Sequence, residues 1–263
     1  MADILRNPVK DKLARGEVVA SMTVRLVRNV EIASIAKIAG FDTLYVDVEH
    51  SSFSLETASQ ICIAALAVGI APFVRVPSHR PEHVSRVLDG GALGVIAPHV
   101  RSAEEARAVV RAAKFAPLGE RSAAGALPHL QYRSFPPAEA NAALNDATMV
   151  IVQCESADFL DRADEIMAVE GVDIALIGTN DLLADWGLSG QYEHARVRDA
   201  YARVIAAAQR HGKHVGVGGL ATRPDLAAEF VRLGARYVST GTDLAFLQAA
   251  CAAKAKEVRA MNS

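Results

Sequence analysis

The sequence predicts an α/β fold, a single (β/α)8 TIM barrel, from three observations. Eight short apolar segments rich in Val and Ile recur along the chain, segments with helical spacing separate them, and the chain has 263 residues. Eight strand–helix units fit a chain of about 250 residues, whereas two domains would each be small and would need a linker. No linker is visible, so we expect residues 1–263 to form one domain.

The predicted strands share a composition typical of strands buried on both faces: they are short, rich in β-branched residues and bounded by Gly, Pro or Asp. In chain order they span residues 18–24, 43–48, 72–76, 92–97, 148–154, 172–177, 214–217 and 237–240. Acidic, basic and imidazole side chains end or follow several of them. Because barrels of this type carry their sites at the carboxyl ends of the strands, the sequence predicts one site there.

The segments between the predicted strands have apolar residues at intervals of three and four, as on one face of an amphipathic helix. Residues 55–66 and 103–113 show this pattern. The longest segment without a predicted strand, residues 117–147, is rich in Pro, Ser, Gly and Arg. It is predicted to be a long loop above the barrel, with at most one short helix, and such loops usually serve the mouth.

Composition and charge exclude several classes of partner. The formal net charge of -2 offers no general attraction for nucleic acid. The longest apolar stretch, residues 61–74, is interrupted by Gly69 and Pro72 and is shorter than the ~20 residues that a membrane span needs. Asp3, Arg6 and Lys10 leave no apolar signal core near the amino terminus. The sequence therefore predicts a cytoplasmic protein with neither a nucleic-acid nor a membrane partner.

The three cysteines, Cys62, Cys154 and Cys251, predict neither a disulfide framework nor a zinc site, because they are odd in number and widely spaced. Cys154 lies between Gln153 and Glu155 at the end of the fifth predicted strand. Side chains alternate along a strand, so if its two neighbours point into the mouth, Cys154 points at the helices. A buried, inert thiol is therefore favoured over a catalytic one.

Two acids, Glu155 and Asp181, follow neighbouring predicted strands. Adjacent strands lie about 4.8 Å apart, so these carboxylates can converge on one cation. Two oxygen ligands, without the His or Cys spacing typical of zinc, suit Mg²⁺ or Mn²⁺. An alternative is equally open: each acid is simply an N-terminal helix residue that needs no metal.

Arg75 lies inside an apolar strand, where a cation is costly unless an anion meets it. It is predicted to bind an oxyanion, or alternatively to form a buried pair with Asp47 or Glu49. His50 follows these two acids at a strand end, a setting in which a neutral imidazole can act as a base near pH 7. His99, at another strand end, is a weaker candidate for the mouth.

Six motifs occur in order along the chain and together carry a resemblance to a known family. The chain resembles the metal-dependent pyruvate aldolases typified by 4-hydroxy-2-oxoheptanedioate aldolase and 2-dehydro-3-deoxyglucarate aldolase. The motifs are Asp47-x-Glu49-His50, Arg75-Val76-Pro77, Leu88-Asp89-x-Gly91, Gln153-x-Glu155, Glu170-Gly171-Val172-Asp173 followed by Gly178-x-x-Asp181-Leu182, and Val238-Ser239-Thr240-Gly241-Thr242-Asp243.

The resemblance implies a barrel of the phosphoenolpyruvate/pyruvate type that holds a divalent metal ion, Mg²⁺, Mn²⁺ or Co²⁺. Glu155 and Asp181 match the metal ligands, and Gln153 would lie beside the metal. Pyruvate would chelate the metal, with Arg75 on its keto oxygen and backbone N–H groups near Asn180 and Asp181 on its carboxylate. The implied reaction is class II aldol chemistry, which makes or cleaves 4-hydroxy-2-oxo acids from pyruvate, or a close 2-oxo acid, and an aldehyde.

The resemblance also implies how protons move and how chains assemble. Residues matching His50 and Asp89 form a pair that can bridge two subunits and moves protons through a metal-bound water, with Asp47 anchoring water close by. Relatives form hexamers in which a terminal helix is exchanged, so we expect a homo-oligomer with an exchanged carboxyl-terminal helix. No lysine ends a predicted strand, which argues against a Schiff-base route.

Alternatives remain open at this stage. Glycine-rich turns at residues 216–219 and 241–243 follow the last two predicted strands, where many barrels bind phosphate, and would suit a phosphosugar isomerase. A CoA-ester lyase, a phosphoenolpyruvate mutase-like enzyme and a non-catalytic binding barrel are further possibilities. The chain also departs from the family pattern at Thr179 and Ser122. Several further residues would either bind a carboxylate of the acceptor or lie on the surface: Arg25, Arg28, Arg121, His129, Gln131 and Arg133.

Overall fold

The computed structural model describes residues 4–261, and in them eight parallel strands close into a barrel in which β8 pairs with β1. The strands are β1 Val19–Val24, β2 Thr43–Asp47, β3 Ala71–Arg75, β4 Gly94–Ala97, β5 Met149–Cys154, β6 Ile174–Gly178, β7 His214–Gly218 and β8 Tyr237–Ser239. All eight coincide with predicted strands to within two residues at either end. The predicted (β/α)8 barrel is confirmed.

Helices alternate with the strands along the chain. They are α1 Pro8–Ala14, α2 Glu31–Ile38, α3 Leu55–Val68, α4 Pro81–Asp89, α5 Ala103–Ala113, α6 Pro137–Ala147, α7 Ala157–Asp161, α8 Ala163–Met167, α9 Thr179–Asp185, α10 Ala195–Arg210, α11 Pro224–Leu233 and α12 Asp243–Ala260. No helix within residues 4–261 combines the length and the apolar character that crossing a bilayer requires.

The core has two layers, because side chains on each strand alternate between the barrel interior and the helices. Tyr45, Phe73 and Tyr237 fill the interior, and the rings of Phe73 and Tyr237 stack with centroids 6.1 Å apart. Gly94 leaves the room that this stacking needs, since a Cβ there would lie 2.8 Å from the Phe73 ring. Cys154 points outward into the layer shared with the helices, as predicted, and burial raises the pKa of its thiol well above the usual value.

The segment of residues 117–147 lies at the amino end of the barrel, so the expectation of a loop above the mouth is wrong. The His129 Nε2 atom lies 2.9 Å from the carbonyl oxygen of Ala92, just ahead of β4, and Asn7 donates to the carbonyl of Ala147 over 2.8 Å. A helix that follows a parallel strand returns the chain to the amino end, and β5 must start there. The segment also holds the 11-residue helix α6 in addition to a 3-10 turn, Pro128–Leu130.

His129 makes stability depend on pH. Burial lowers the pKa of this imidazole from 6.5 to about 4, opposed by its hydrogen bond to the carbonyl of Ala92. Below pH 6.5 the unfolded chain therefore binds a proton that the folded chain excludes, and stability falls as pH falls from 6.5 to 4. We expect this group to destabilise the fold by about 3 kcal/mol across that interval.

The His129→Gln variant tests this effect, because the amide can still donate to Ala92 but does not titrate. Urea unfolding at pH 7 and pH 4.5, at one protein concentration, gives the free energy of unfolding of both proteins. We expect the wild type to lose more of it than the variant. Equal losses would show that His129 does not control acid stability.

The side chains of helix α12 are exposed, and among its residues Asp243 alone is buried. Leu247 and Val258 are 51% and 52% exposed, and on α2 Ile35 and Ile38 are 59% and 87% exposed. Apolar side chains grouped on exposed helices are typical of surfaces that another chain covers.

Candidate functional site

A cavity of about 350 Å³ opens at the carboxyl ends of the strands. Six of the eight predicted site residues line it: Asp47, His50, Arg75, Gln153, Asn180 and Asp181. The seventh, Glu155, is buried directly beside it, where its Oε1 atom accepts a hydrogen bond of 2.8 Å from the Gln153 amide. The structure thus brings seven residues from four strand ends to one place.

Arg75 forms the buried ion pairs that the sequence left as an alternative. Its Nε and Nη2 atoms donate to the two oxygens of Asp47 over 3.0 and 2.7 Å, and Nη1 lies 3.1 Å from Glu49 Oε2. The pair follows from register, because Asp47 on β2 is the direct partner of Arg75 on β3. Arg75 is held rigidly in this way while its guanidinium still lines the cavity.

Asp47 is bound by protein groups on both of its carboxylate oxygens. Its side chain has no exposed area, and its Oδ1 atom also accepts the backbone N–H groups of Glu49 and His50 over 3.1 Å each. Burial alone would raise the pKa of Asp47, but the hydrogen bonds and charge of Arg75 outweigh it and the pKa is lowered. Asp47 thus contacts both Arg75 and the backbone of His50, and its role of anchoring water stays a prediction.

Glu155 is the most strongly perturbed acid at the site. Burial, together with the charges of Asp181 and Glu49, raises its pKa to about 7, against the lowering effect of His99. Gly178 makes room for this carboxyl group, since a Cβ at Gly178 would lie 2.8 Å from the Glu155 Cγ atom. The protein therefore concentrates negative charge here without supplying enough positive charge to balance it.

His99 belongs to the site more closely than its sequence position indicated. Its Nε2 atom lies 2.9 Å from Glu49 Oε1 and its Nδ1 atom 3.2 Å from Glu155 Oε2, so the ring bridges two acids. Its backbone N–H also donates to Glu155 over 3.0 Å, and its φ of 57° is in the left-handed region. Only its place after a strand pointed to this role; the pairing with Glu49 left no sequence signal.

His50 and Asp89, which were predicted to form a pair, lie at opposite ends of the barrel within one chain. His50 is half exposed at the mouth, with Nε2 3.7 Å from Glu49 Oε2. Asp89 ends α4 at the amino end of the barrel, where its carboxylate accepts a 2.6 Å hydrogen bond from Arg121. The pairing of His50 with Asp89 stays a prediction that requires a second copy of the chain.

The start of α9 shows how the departure at Thr179 is accommodated. The Thr179 hydroxyl donates to the carbonyl of Gly218 over 2.8 Å and lies 2.9 Å from the Tyr201 hydroxyl, which ties α9 to β7. Asn180 accepts a 2.8 Å hydrogen bond from the Tyr192 hydroxyl. Asn180 and Asp181 are exposed, and both line the cavity.

The donor set fits a divalent metal ion that prefers oxygen. Within residues 4–261 no group of three or more His, Cys, Asp or Glu side chains forms a metal cluster. Besides the two predicted carboxylates, however, the Gln153 Oε1 atom is buried and has no hydrogen-bond partner. A buried amide oxygen without a donor is costly, and a cation beside Glu155 would satisfy it and offset the surplus charge.

None of the eight described strands ends in a lysine that could form a Schiff base. The strands end at Val24, Asp47, Arg75, Ala97, Cys154, Gly178, Gly218 and Ser239, none of them lysine, as the sequence indicated. The buried Lys114 lies at the opposite end of the barrel, where its Nζ atom donates to the carbonyl of Asn145 over 2.6 Å. An imine route therefore has no residue at this site.

The basic residues considered for an acceptor separate into two groups. Arg25 lines the cavity and Arg28 lies nearby on the same loop. Arg121, His129 and Arg133 belong to the amino-end segment, far from this mouth in the same chain.

Comparison with known proteins places these features in context. A family model described as HpcH/HpaI aldolase/citrate lyase matches residues 25–250. A 4-hydroxy-4-methyl-2-oxoglutarate aldolase from Hapsidospora irregularis is 45% identical over 216 residues, which cover 81% of this chain and 80% of the relative. A 4-hydroxy-2-oxo-heptane-1,7-dioate aldolase from Klebsiella pneumoniae is 33% identical and covers 92% of this chain and 90% of its own.

A solved structure agrees with these matches. The HpcH/HpaI aldolase from Desulfitobacterium hafniense superposes with a TM-score of 0.89 at 34% identity, covering 95% of this chain and 96% of that chain.

Proposed function

Because the chain belongs to the HpcH/HpaI aldolase/citrate lyase family, we propose that it is a class II aldolase of 4-hydroxy-2-oxo acids. It makes or cleaves such acids, with pyruvate or a close 2-oxo acid as one part and a carbonyl compound as the other. The observation that carries the proposal is the meeting of the buried Arg75 with Glu155, Asp181 and Gln153 in and beside one cavity. The aldolase relatives do not favour the isomerase, CoA-ester or non-catalytic alternatives.

In this proposal Glu155 and Asp181 hold a divalent ion such as Mg²⁺, Mn²⁺ or Co²⁺, with the Gln153 amide oxygen beside it. When bound, such an ion supplies positive charge next to the keto oxygen of pyruvate and so lowers the energy of the enolate. The structure supports this through the raised pKa of Glu155 and the unpartnered oxygen of Gln153.

Arg75 donates to the same keto oxygen as it gains charge. Asp47 and Glu49 fix its guanidinium in advance, so little reorganisation accompanies the reaction. The backbone N–H groups of Asn180 and Asp181, in the first turn of α9, receive the pyruvate carboxylate.

His50 moves the proton between the pyruvate methyl group and the second substrate, because histidine is the side chain that most readily exchanges protons near neutral pH. Asp47 orients it through the backbone N–H of His50. Asp89 of a second copy completes the pair, since its carboxylate is 41% exposed and lies away from the mouth of its own barrel.

The reaction itself is tested by incubating the metal-loaded protein with 4-hydroxy-2-oxo acids and measuring released pyruvate. The proposal expects pyruvate and a carbonyl product in equal amounts, with loss of activity after chelation. Pyruvate release that survives complete metal removal would contradict it.

The proposed assembly is a homo-oligomer, a hexamer, in which α12 is exchanged between neighbours, in a cytoplasmic setting. Leu247 and Val258 on α12 and Ile35 and Ile38 on α2 are the exposed apolar residues that such an exchange would bury. We expect light scattering to give about six times the chain mass of 27.9 kDa. A single chain mass at micromolar concentration would overturn this assembly and the His50–Asp89 pair with it.

A further inference from the structure

Two arginines line the cavity in the described part of the chain, Arg75 and Arg25, and the proposed function uses only Arg75. Arg25 directly follows β1 and its side chain is 40% exposed at the mouth. A second guanidinium beside the enolate site either pairs with acceptors of the protein or is left to bind an anionic substrate. The contacts of Arg25 show which of these applies.

The backbone of the Arg25 loop is fixed by a single buried acid. Asp243, at the start of α12, accepts the backbone N–H groups of Arg25, Leu26 and Val27 over 3.0, 2.9 and 2.8 Å. Three consecutive amides on one carboxylate leave this loop little freedom. The Arg25 side chain therefore leaves the wall of the barrel at a defined point.

The Arg25 guanidinium is only partly satisfied by the protein. Its Nη2 atom donates to the carbonyl of His50 over 3.0 Å, and its Nε atom lies 3.4 Å from Asp47 Oδ2. Asp47 already receives two hydrogen bonds from Arg75. The Nη1 atom of Arg25 has no partner among residues 4–261, so an anion in the cavity can approach it.

Arg25 and Arg75 are close enough to serve one small substrate pair. Both approach Asp47 Oδ2, at 3.4 and 2.7 Å, so the nearest nitrogens are separated by at most the sum of those distances, about 6 Å. In the proposed reaction the enolate carbon lies two bonds from the oxygen held by Arg75. A carboxylate attached directly to the attacked carbonyl carbon is five bonds from the enolate oxygen to its own oxygens, a reach that matches two cations this close together.

We propose that Arg25 binds a carboxylate carried on the acceptor's carbonyl carbon, so that the preferred acceptors are 2-oxo acids such as glyoxylate or pyruvate. This inference rests on the proposed function. The pyruvate methyl group loses one proton, its carbon forms a bond to the acceptor carbonyl carbon, and the acceptor oxygen takes one proton to become the 4-hydroxyl group. Arg25 provides the planar pair of donors that a carboxylate matches.

Arg28, on the same loop, offers a matched control because its contacts lead away from the cavity. Its Nη2 atom donates to the Ser52 hydroxyl over 2.6 Å, and its guanidinium lies 5.4 Å from the centre of the Phe53 ring. It is not among the residues that line the cavity. Loss of Arg28 changes the charge of the loop as loss of Arg25 does, without removing a donor from the cavity.

The test compares two acceptors of similar size, glyoxylate and glycolaldehyde, which differ in carrying a carboxylate or a hydroxymethyl group. With pyruvate as donor and Mg²⁺ or Mn²⁺ present, kcat/KM is measured for each acceptor in the wild type and in Arg25→Met, Arg25→Lys and Arg28→Met. The ratio of the two values isolates recognition of the carboxylate, because any change in enolate formation affects both. Circular dichroism and thermal unfolding establish that each variant is folded.

We expect Arg25→Met to lower the glyoxylate to glycolaldehyde ratio by roughly 10- to 100-fold, mainly through KM for glyoxylate. Arg25→Lys retains part of the ratio and Arg28→Met leaves it as in the wild type. An unchanged ratio in Arg25→Met, or an equal fall in Arg28→Met, would overturn the assignment.

Exchange of the pyruvate methyl protons for deuterium in the wild type distinguishes a failure of the Arg25 assignment from a failure of the proposed function. If the wild type shows metal-dependent exchange but the ratio does not depend on Arg25, the role of Arg25 alone is wrong. If the wild type shows no exchange, the proposed function fails and this inference fails with it.

Discussion

Replacing Glu155 by Gln is expected to abolish carbon–carbon cleavage while leaving the fold intact. The amide keeps the shape of the side chain and its place beside Gln153 and Gly178, but it removes the negative charge proposed to hold the metal. Loss of that ion removes several kcal/mol of stabilisation from the enolate, which corresponds to at least about 10³-fold in kcat. Pyruvate release from a 4-hydroxy-2-oxo acid measures the effect.

Asp181→Asn should produce a similar loss, because Asp181 is the second proposed ligand, and calorimetric titration with Mn²⁺ should show weaker binding in both variants. Asp158→Asn is the matched control, since it removes a carboxylate three residues after Glu155 but outside the cavity. The Asp158 side chain is 56% exposed, and its ion-pair partner Arg162 lies 4.0 Å away. Full cleavage activity in a folded Glu155→Gln protein would contradict the proposed metal site.

The second large effect is expected at Arg75, where activity and stability should both fall. Arg75→Met removes a donor from the developing enolate oxygen, for which we expect a loss of about 10²- to 10³-fold in kcat. It also takes the shared guanidinium from the buried Asp47 and Glu49, which keep only the longer contact with Arg25 and the pairing with His99. This should lower the free energy of unfolding by about 3 kcal/mol. Steady-state cleavage and urea unfolding give the two quantities.

A double variant separates the two effects at Arg75. Adding Asp47→Asn to Arg75→Met removes one of the two buried charges that lost Arg75 and should restore part of the stability, but none of the activity. Recovery of both together would mean that Arg75 acts only through the fold. A Met variant as active as the wild type would exclude Arg75 from the reaction.

The fold could be predicted from the sequence because its strands are unusually well marked. Segments such as 43–48 and 148–154 are short, apolar and β-branched, and the structure places strands at Thr43–Asp47 and Met149–Cys154. Their number and spacing leave the (β/α)8 barrel as the economical arrangement. The adjacency of β5 and β6 follows from that arrangement, and with it the meeting of Glu155 and Asp181 at one mouth.

The wrong position predicted for residues 117–147 has a physical explanation. Its length and composition indicate a loop but carry no information about which end of the barrel it covers. Topology does: a connection from α5 to β5 must lie at the amino end, where Phe115, Leu130 and Leu144 pack in a small core of their own. The direction of the flanking helix and strand would therefore have predicted the correct end of the barrel.

Side-chain pairings were harder to predict than strand positions, because they depend on register and rotamer. The sequence could place Asp47 and Arg75 on neighbouring strands, but only the register shows that they are direct partners. His99 reaches Glu49 and Glu155 from a left-handed backbone conformation that neighbouring residues do not signal. Asp89 shows a further limit, since the partner proposed for it belongs to another copy of the chain.

Proton NMR of pyruvate in deuterated buffer follows formation of the enolate itself, because exchange of the methyl protons requires no acceptor. We expect the methyl signal to disappear with protein and added Mg²⁺, Mn²⁺ or Co²⁺, to persist after chelation, and to persist with metal in Glu155→Gln and Arg75→Met. Rapid exchange in chelated protein, or in a folded Glu155→Gln variant, would contradict this expectation.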